Sequence, residues 1–570
     1  MATYLEPSAL VLHRIEPGGV RKTRAVTDVT ETALRNLDDL TAHTEPVAVS
    51  AYGPPAFAKP GAAQGEDLLV LCEGYANGLR AHLRVFNGYE VRFLIVDRTL
   101  AESDVEAGTL GDYLTEQLIY PYRAVVNSDY LDALALKARV RVTKEEARDL
   151  VLEFGEMCRG LVATPEFFGL SRMRKLARVF VPSLGSYLRL LEEPVRGPNL
   201  VTLRQGFKAA VTAIGGDTLV VDGDYTALND AAVDRWLKDR VSEHVVNVFR
   251  QSQRAFYSYL TKGRALYLSP ELLARELLSP LKLVLDQELD QIKPEDPKSF
   301  LFLRTSEGLV PLTEKVSLDE VINTLKLPEP VTITPLAGVL NEVSLVTAGK
   351  ERLVIKKFTD WHGFKWFTLN LVSIGSKLFT VSGRARMTNE YGMNRYLAKR
   401  GIKVPTIVYL SVKQRILVER FLNGTPLTDS VREAVNQQNL TASQSELIES
   451  IGETLASVHG IGVSIGDSKP ENFLIQDREI FIVDLEQAGK RADYAWDIAE
   501  LLFYIGHYCT RPVPPPAVKQ LVEAFVKGYV RKGNPEELRK AAAVKHAKSF
   551  SIWTPPPVIF EISRILHSAK

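Results

Sequence analysis

Short apolar runs bounded by turn residues alternate along this chain with stretches in which apolar positions recur every three to four residues. The runs LLVLC (68–72) and VRFLIV (91–96) predict buried strands, and Ala147–Cys158 and Asp230–Phe249 predict amphipathic helices. GPPAFAKPGAAQG (53–65) reads as a loop. Beyond Leu200 the pattern is mostly helical until FLFLRTSEGLVPL (300–312), which predicts a hairpin, and SLDEVINTLKL, which predicts a helix capped near Ser317. After Pro330 the order changes. Short strands at Val331–Pro335, Glu342–Val346 and Leu353–Phe358 precede a helix near Met387–Arg400; two strands, Ile407–Leu410 and Arg415–Glu419, flank a turn; helices follow. With proline-rich punctuation at 192–199, 293–298 and 327–335, the expectation is an α+β multidomain chain. Residues 1–195 would form an α/β domain, 196–330 a mainly helical domain ending in a hairpin and helix, and 331–570 a small sheet with one helix followed by a helical body.

Composition adds limits. At 570 residues, with 45% hydrophobic and 24% charged residues, the chain is long enough for about three domains and resembles neither a disordered nor a fibrous protein. Cys72, Cys158 and Cys509 are odd in number and far apart, which argues against a disulfide framework and for a reducing compartment. MATYLEPSAL does not read as a secretory leader, and no stretch of about 20 apolar residues suggests a membrane span, so the expected location is cytoplasmic. The net charge of +1 conceals an asymmetry: residues 331–570 carry 31 basic and 23 acidic side chains, residues 1–330 carry 39 and 46.

The strongest chemical signal is IGDSKPENFLI (465–475), followed by FIVDLEQA (481–488). Phosphoryl transfer needs a base for the acceptor hydroxyl, oxygen ligands for Mg²⁺, and cations for the phosphates of ATP. Asp467 is the candidate base, Asn472 and Asp484 the candidate metal ligands, and Lys469 the cation for the transferring phosphate. Upstream, Lys356 ends the strand LVIK, where it is placed to contact the α- and β-phosphates, and Glu390 on the next helix is its candidate partner. RILVERFLNGTPL (415–427) reads as a strand entering a connector, with the Glu419 carbonyl and the Phe421 N–H as candidate adenine contacts.

In order and spacing, residues 331–530 resemble the protein-kinase-like superfamily, which implies a two-lobed fold. The resemblance implies that Asp497, in YAWDIAELLFYI, anchors the catalytic loop and that His459 ends the helix before it. Within the superfamily, RARMTNEYGMNRYLAKRGIKVPTIV (384–408), an R-x-x-x-E helix followed by G-[IV]-x-[VT]-P, resembles the atypical branches: the kinase subunit of the KEOPS complex, the RIO kinases and the lipopolysaccharide-core sugar kinases. As in those branches, the glycine-rich loop is reduced, with Gly338 alone in LAGVLNEVS (336–344). SIGD replaces HRD, so no arginine stands beside Asp467 to bind a phosphorylated activation loop.

The implied activity is an ATP- and Mg²⁺-dependent kinase acting on a hydroxyl acceptor. Two residues point to different acceptors: Asp484-Leu485-Glu486 is the pattern common in small-molecule kinases, while D-x-K at Lys469 is usual in serine/threonine protein kinases, and the balance favours protein slightly over sugar or lipid. The alternative is a kinase-shaped ATPase or pseudokinase, the nucleotide-binding subunit of a tRNA- or protein-modifying assembly.

Three weaker features remain. The basic and aromatic stretch 361–387 is a candidate contact for an anionic surface, against the plainer reading of aromatics packed in a core. RKGNPEELRKAAAVKHAKS (531–549) reads as one basic helix, either a solvated face or a contact for RNA. Near the N-terminus, Glu66, Asp67 and Asp97 lie on strands in the order of a nucleotidyltransferase core, without its usual pair of aspartates on one strand, so a degenerate relative or an unrelated α/β domain is the plainer reading.

Overall fold

The two apolar runs that predict buried strands lie side by side. In a computed structural model that describes residues 28–569 except 42, 59–64, 87, 180, 239–252, 254–256, 258–294, 315–317, 337–340, 361–381, 491–492, 510–514 and 552–553, the chain folds as two compact units. The first comprises residues 1–147, 164–215 and 241–297; the second comprises 148–163, 216–240 and 298–570.

The first unit is built on β1 (Pro46–Ala51), β2 (Glu66–Cys72), β3 (Leu79–Phe86), β4 (Tyr89–Asp97) and β5 (Arg123–Val126), in the order β3-β4-β2-β1-β5. β2 runs parallel to β4, and Leu68, Val70, Phe93 and Ile95 are wholly buried between them and the covering elements. Each such side chain contributes about 1.5–3 kcal/mol by leaving water. The register places Asp97 opposite Cys72, five residues along β2 from Asp67 and so roughly 16 Å away by strand rise. Asp67 is paired with Arg92 through Nε at 3.1 Å, Glu66 with Arg123 and Thr30, and Asp97 caps the helix Arg98–Ala107 by accepting from Thr99 N at 2.9 Å. The three carboxylates therefore do not converge as a two-metal centre would require.

The second unit holds two five-stranded sheets and, within its C-terminal part, two smaller ones. β6 (Leu161–Ala163), β7 (Leu219–Asp222), β8 (Tyr225–Leu228), β9 (Leu301–Thr305) and β10 (Gly308–Pro311) form one, in the order β10-β9-β6-β8-β7 and antiparallel throughout. β9–β10 is the hairpin predicted at 300–312. β7–β8 interrupts the helical pattern expected beyond Leu200: strand residues that include Val220, Val221 and Thr226 flank a Gly223-Asp224 turn in which Gly223 has φ 61°. Of the helix expected at Asp230–Phe249, Asp230–Lys238 is described. The helix expected at 147–158 is the end of Ser128–Phe154, continued by a 3-10 turn at Gly155–Arg159.

The other sheet follows Pro330 and matches the strands predicted there. β11 (Val331–Leu336), β12 (Glu342–Ala348), β13 (Glu351–Lys357), β14 (Ile407–Ser411) and β15 (Ile416–Arg420) take the order β11-β12-β13-β15-β14. Between β13 and β14 the chain forms the helix Gly383–Ala398, packed on the 3-10 turn at 155–159. Gly392 permits that approach, since a Cβ there would stand 2.3 Å from the Glu156 carbonyl oxygen.

The remainder is helical, around a core that includes Ile451, Leu455, Phe473, Ile498 and Phe525. Ala442–Gly460 starts with a capping box, Thr441 and Gln444 each bonding the other's backbone N–H. The single basic helix expected at 531–549 is instead two short ones, Pro535–Ala541 and Val544–Phe550, because Ala543 turns extended (ψ 144°) and restarts the helix. No helix among the described residues is long and apolar enough to cross a membrane.

Candidate active site

The loop before Asn472 is shaped by one buried carboxylate. Asp497, in the first turn of the helix Tyr494–Tyr504, accepts from Ile465 N at 2.7 Å, Gly466 N at 2.8 Å and Ser464 Oγ at 2.9 Å. His459 Nε2 lies 3.1 Å from its Oδ2, and His459 Nδ1 lies 2.8 Å from the Tyr529 hydroxyl. With the proton on Nε2, the imidazole donates to Asp497 and accepts from Tyr529. Past Asp467, Ser468 donates from Oγ to the Asp497 carbonyl at 2.6 Å and from N to Glu500 at 2.8 Å. Both neighbours of Asp467 are thus tied to one helix, and Gly466 makes the bend with φ 80°.

Asp467 itself pairs with Lys469, Nζ to Oδ1 2.8 Å. Burial opposes the Lys469 charge, but Asp467 and Glu500 outweigh it and hold the ammonium well above its usual pKa. Asn472 Nδ2 donates to the Asp467 carbonyl at 2.8 Å, which fixes the amide beside the loop.

A hairpin brings the second aspartate to the first. β16 (Thr425–Pro426) precedes the loop and β17 (Val463–Ser464) opens it; β18 (Phe473–Gln476) and β19 (Glu479–Ile482) then pair so that Phe473 faces Ile482. The next pair out, Asn472 and Val483, is joined by Val483 N to Asn472 O at 3.0 Å. Asp484 follows in the left-handed region, φ 60°, an uncommon conformation for a residue with a side chain and one that clusters at functional sites. Burial pushes its carboxyl up to about 7, with Glu486 and Asp467 adding to the rise and Lys356 and Lys469 opposing it.

Lys356, on β13, meets two carboxylates: Nζ lies 2.8 Å from Glu390 Oε1 and 3.2 Å from Glu419 Oε2. Glu419 pairs with Val354 across β15 and β13, so its side chain shares a sheet face with Lys356. Burial works against the lysine's charge, but Glu390, Glu419 and Asp484 prevail and keep it ionised well above its usual range. Burial likewise raises the Glu390 carboxyl to about 7 against the pull of Lys356. Lys356, Glu390, Glu419, Asp467, Lys469 and Asp484 therefore form one electrostatic cluster beside Asn472.

One expectation changes: the Phe421 N–H is not a free adenine donor, because it donates to the Arg352 carbonyl at 2.9 Å. Glu419 also enters the cluster through its carboxylate. Gly338 lies outside the described residues, as does 361–381 of the basic and aromatic stretch.

Sequence reasoning missed a second buried ion pair. Arg386 is fully buried, and its Nη1 lies 2.9 Å from Glu486 Oε2. Asn341 bridges them, accepting from Arg386 Nη1 at 2.7 Å and donating to Glu486 Oε2 at 2.8 Å. Arg386 also donates to the Thr359 carbonyl. Burial raises the Glu486 carboxyl and Arg386 opposes the rise. The signal was present as two separate motifs, R-x-x-x-E and Asp484-Leu485-Glu486, whose meeting no spacing reveals.

The donor set suits a hard divalent cation: a carboxylate crowded by other carboxylates and an adjacent amide supply oxygen ligands of the type Mg²⁺ takes. Among the described residues no group of three or more His, Cys, Asp or Glu side chains is placed to hold a metal ion by itself.

Residues 364–529 match the lipopolysaccharide kinase (Kdo/WaaP) family. No curated protein matches the chain. Similar solved structures include WaaP in complex with acyl carrier protein, at 16% identity over 42% of this chain and 98% of that one with TM-score 0.27. Another is the microcompartment-associated aminopropanol kinase, at 12% identity over 44% and 94% with TM-score 0.23.

Proposed function

We propose, for a chain whose C-terminal domain is a kinase of the atypical protein-kinase-like branch that includes the lipopolysaccharide-core kinases, transfer of the γ-phosphate of ATP to a sugar hydroxyl. The observation that carries this reading is the cluster of Lys356, Glu390, Asp467, Lys469, Asn472 and Asp484, held by two buried ion-pair systems. In it the domain is two-lobed, the five-stranded sheet after Pro330 and the helical body forming the two sides of the nucleotide cleft.

Lys356, held by Glu390 and Glu419, binds the α- and β-phosphates. Asp484 and Asn472 hold Mg²⁺, which when bound neutralises charge on the β- and γ-phosphates. Asp467 accepts the proton of the acceptor hydroxyl as its oxygen bonds to the γ-phosphorus; the bond to the bridging oxygen breaks and ADP leaves with the electron pair. Lys469 offsets the charge on the transferring group. Asp497 and His459 position the loop and do not touch substrate.

The acceptor reading moves from protein serine or threonine to a sugar. Lys469 alone favoured protein, but the matched family acts on lipopolysaccharide by its description, and Glu486 of the small-molecule pattern is built into the structure through Arg386. The test offers γ-labelled ATP with a lipopolysaccharide-core oligosaccharide, a simple hexose or a serine-rich protein. Label on a sugar with matching ADP release supports the reading. Label on the protein alone refutes the acceptor, and ADP release unaffected by any acceptor supports an ATPase instead.

A further inference from the structure

The second unit contains a cavity of about 580 Å³ that none of Lys356, Glu390, Glu419, Asp467, Lys469 and Asp484 lines, within the size range of small-molecule sites. Its walls carry five cationic side chains from three parts of the chain: Arg159 from the 3-10 turn, Arg304 from β9, and Arg395, Lys399 and Arg400 from the end of the helix Gly383–Ala398 and the turn after it. Cations at a helix C-terminus are expected on electrostatic grounds, which accounts for the last three. Arg159 and Arg304 come from elsewhere, so the convergence is not a property of the helix end.

Three carboxylates share the walls and leave an excess of two positive charges. Asp222 pairs with Arg304; Asp234 is shared by Arg159, at 2.6 Å, and Lys490. Asp230 is divided among Arg400 at 3.3 Å, Arg159 at 3.6 Å and Lys399 at 3.7 Å. Arg395 has no ion-pair partner among the described residues, and its Nε is buried without a hydrogen-bond partner. Lys399 is held below its usual pKa by burial, with Arg395, Arg304 and Arg159 adding to the effect against Asp230. A concave site with surplus guanidinium groups is complementary to phosphate oxygens, which arginine binds in a forked, directional manner.

We propose that this cavity binds a small, multiply charged phosphate compound, separately from the ATP cleft. Arg395 supplies the unpaired donor, Lys399 and Arg304 the flanking charges, and Asp230 the counter-ion that the ligand displaces. The inference holds whether or not the cleft transfers phosphate.

The experiment titrates the full chain with inorganic pyrophosphate by calorimetry, without divalent metal, beside Arg395→Gln/Lys399→Gln, Arg304→Gln and, for the ATP cleft, Lys356→Met. The expected result is saturable binding by the parent, retained in K356M and weakened at least tenfold by R395Q/K399Q and by R304Q. A sugar bisphosphate and a nucleoside diphosphate, titrated into K356M, distinguish the sources of the phosphate. No saturable binding by the parent, or binding lost in K356M and unchanged in R304Q, would overturn the proposal; R304Q decides the matter should the double variant fail to fold.

Discussion

Arg386 Nη1 stands 2.9 Å from Glu486 Oε2, one helical turn before Glu390, so one helix both pairs with Lys356 and grips the segment of Asp484. Both partners are buried and both are bridged by Asn341. A helix displaced along its axis would break both pairs together.

Removing one partner of this pair leaves a buried charge uncompensated. Arg386→Met should cost about 3–5 kcal/mol in urea unfolding. Arg386→Met/Glu486→Gln should recover part of that loss. A loss in the double variant equal to the sum of the losses in Arg386→Met and Glu486→Gln would mean that the two residues act independently.

Lys356→Met removes the cation facing Glu390, Glu419 and Asp484. Turnover of ATP should fall at least a hundredfold, on the order of 3 kcal/mol of transition-state stabilisation. Circular dichroism should stay native, because Glu390 can take up a proton. Steady-state ADP release against ATP concentration checks this, and Lys356→Arg should not restore the rate.

The pH dependence has a definite sign. In the folded protein burial holds the Glu390 carboxyl near 7, above its ordinary 4.5, so the native state binds that proton more tightly than the unfolded chain. The stabilisation is complete below about pH 4.5 and is lost as pH rises through 7. Glu390→Gln has no such titration. Between pH 5 and pH 8 the stability of the parent should decline relative to E390Q by roughly 3 kcal/mol. A pH-independent difference would show that Glu390 stays ionised throughout.

Asp497→Asn replaces a charged acceptor that serves two backbone N–H groups, a hydroxyl and an imidazole. Loss of about 2–4 kcal/mol of stability is expected, with kcat falling more than KM for ATP, since the loop that carries Asp467 loosens while Lys356 is untouched. Differential scanning calorimetry and steady-state kinetics together test it; an unchanged kcat would assign Asp497 to folding alone.

The strands after Pro330 were legible because each is an apolar run between turn residues, and so was the gathering of Asp467, Lys469, Asn472 and Asp484, which lie close in sequence. What could not be read were meetings across long separations. Glu419 joins Lys356 because β15 lies beside β13, and Arg386 joins Glu486 across 100 residues. Phe421 was misread because the partner of its N–H, the Arg352 carbonyl, is set by that same sheet neighbour. The break at Ala543 in the basic C-terminal stretch had no local signal at all, since alanine favours continuation of a helix. The separation of Asp97 from Asp67 was likewise not readable: only the parallel register places Asp97, on β4, opposite Cys72, at the far end of β2 from Asp67.

The most direct measurement is transfer of label from γ-labelled ATP, with Mg²⁺ and a lipopolysaccharide-core oligosaccharide, by the parent chain, Asp467→Asn and Asp484→Asn. Phosphotransfer through this cleft predicts labelled sugar from the parent and at least a hundredfold less from either variant, with both variants folded. Labelling by Asp484→Asn at the parental rate would contradict it.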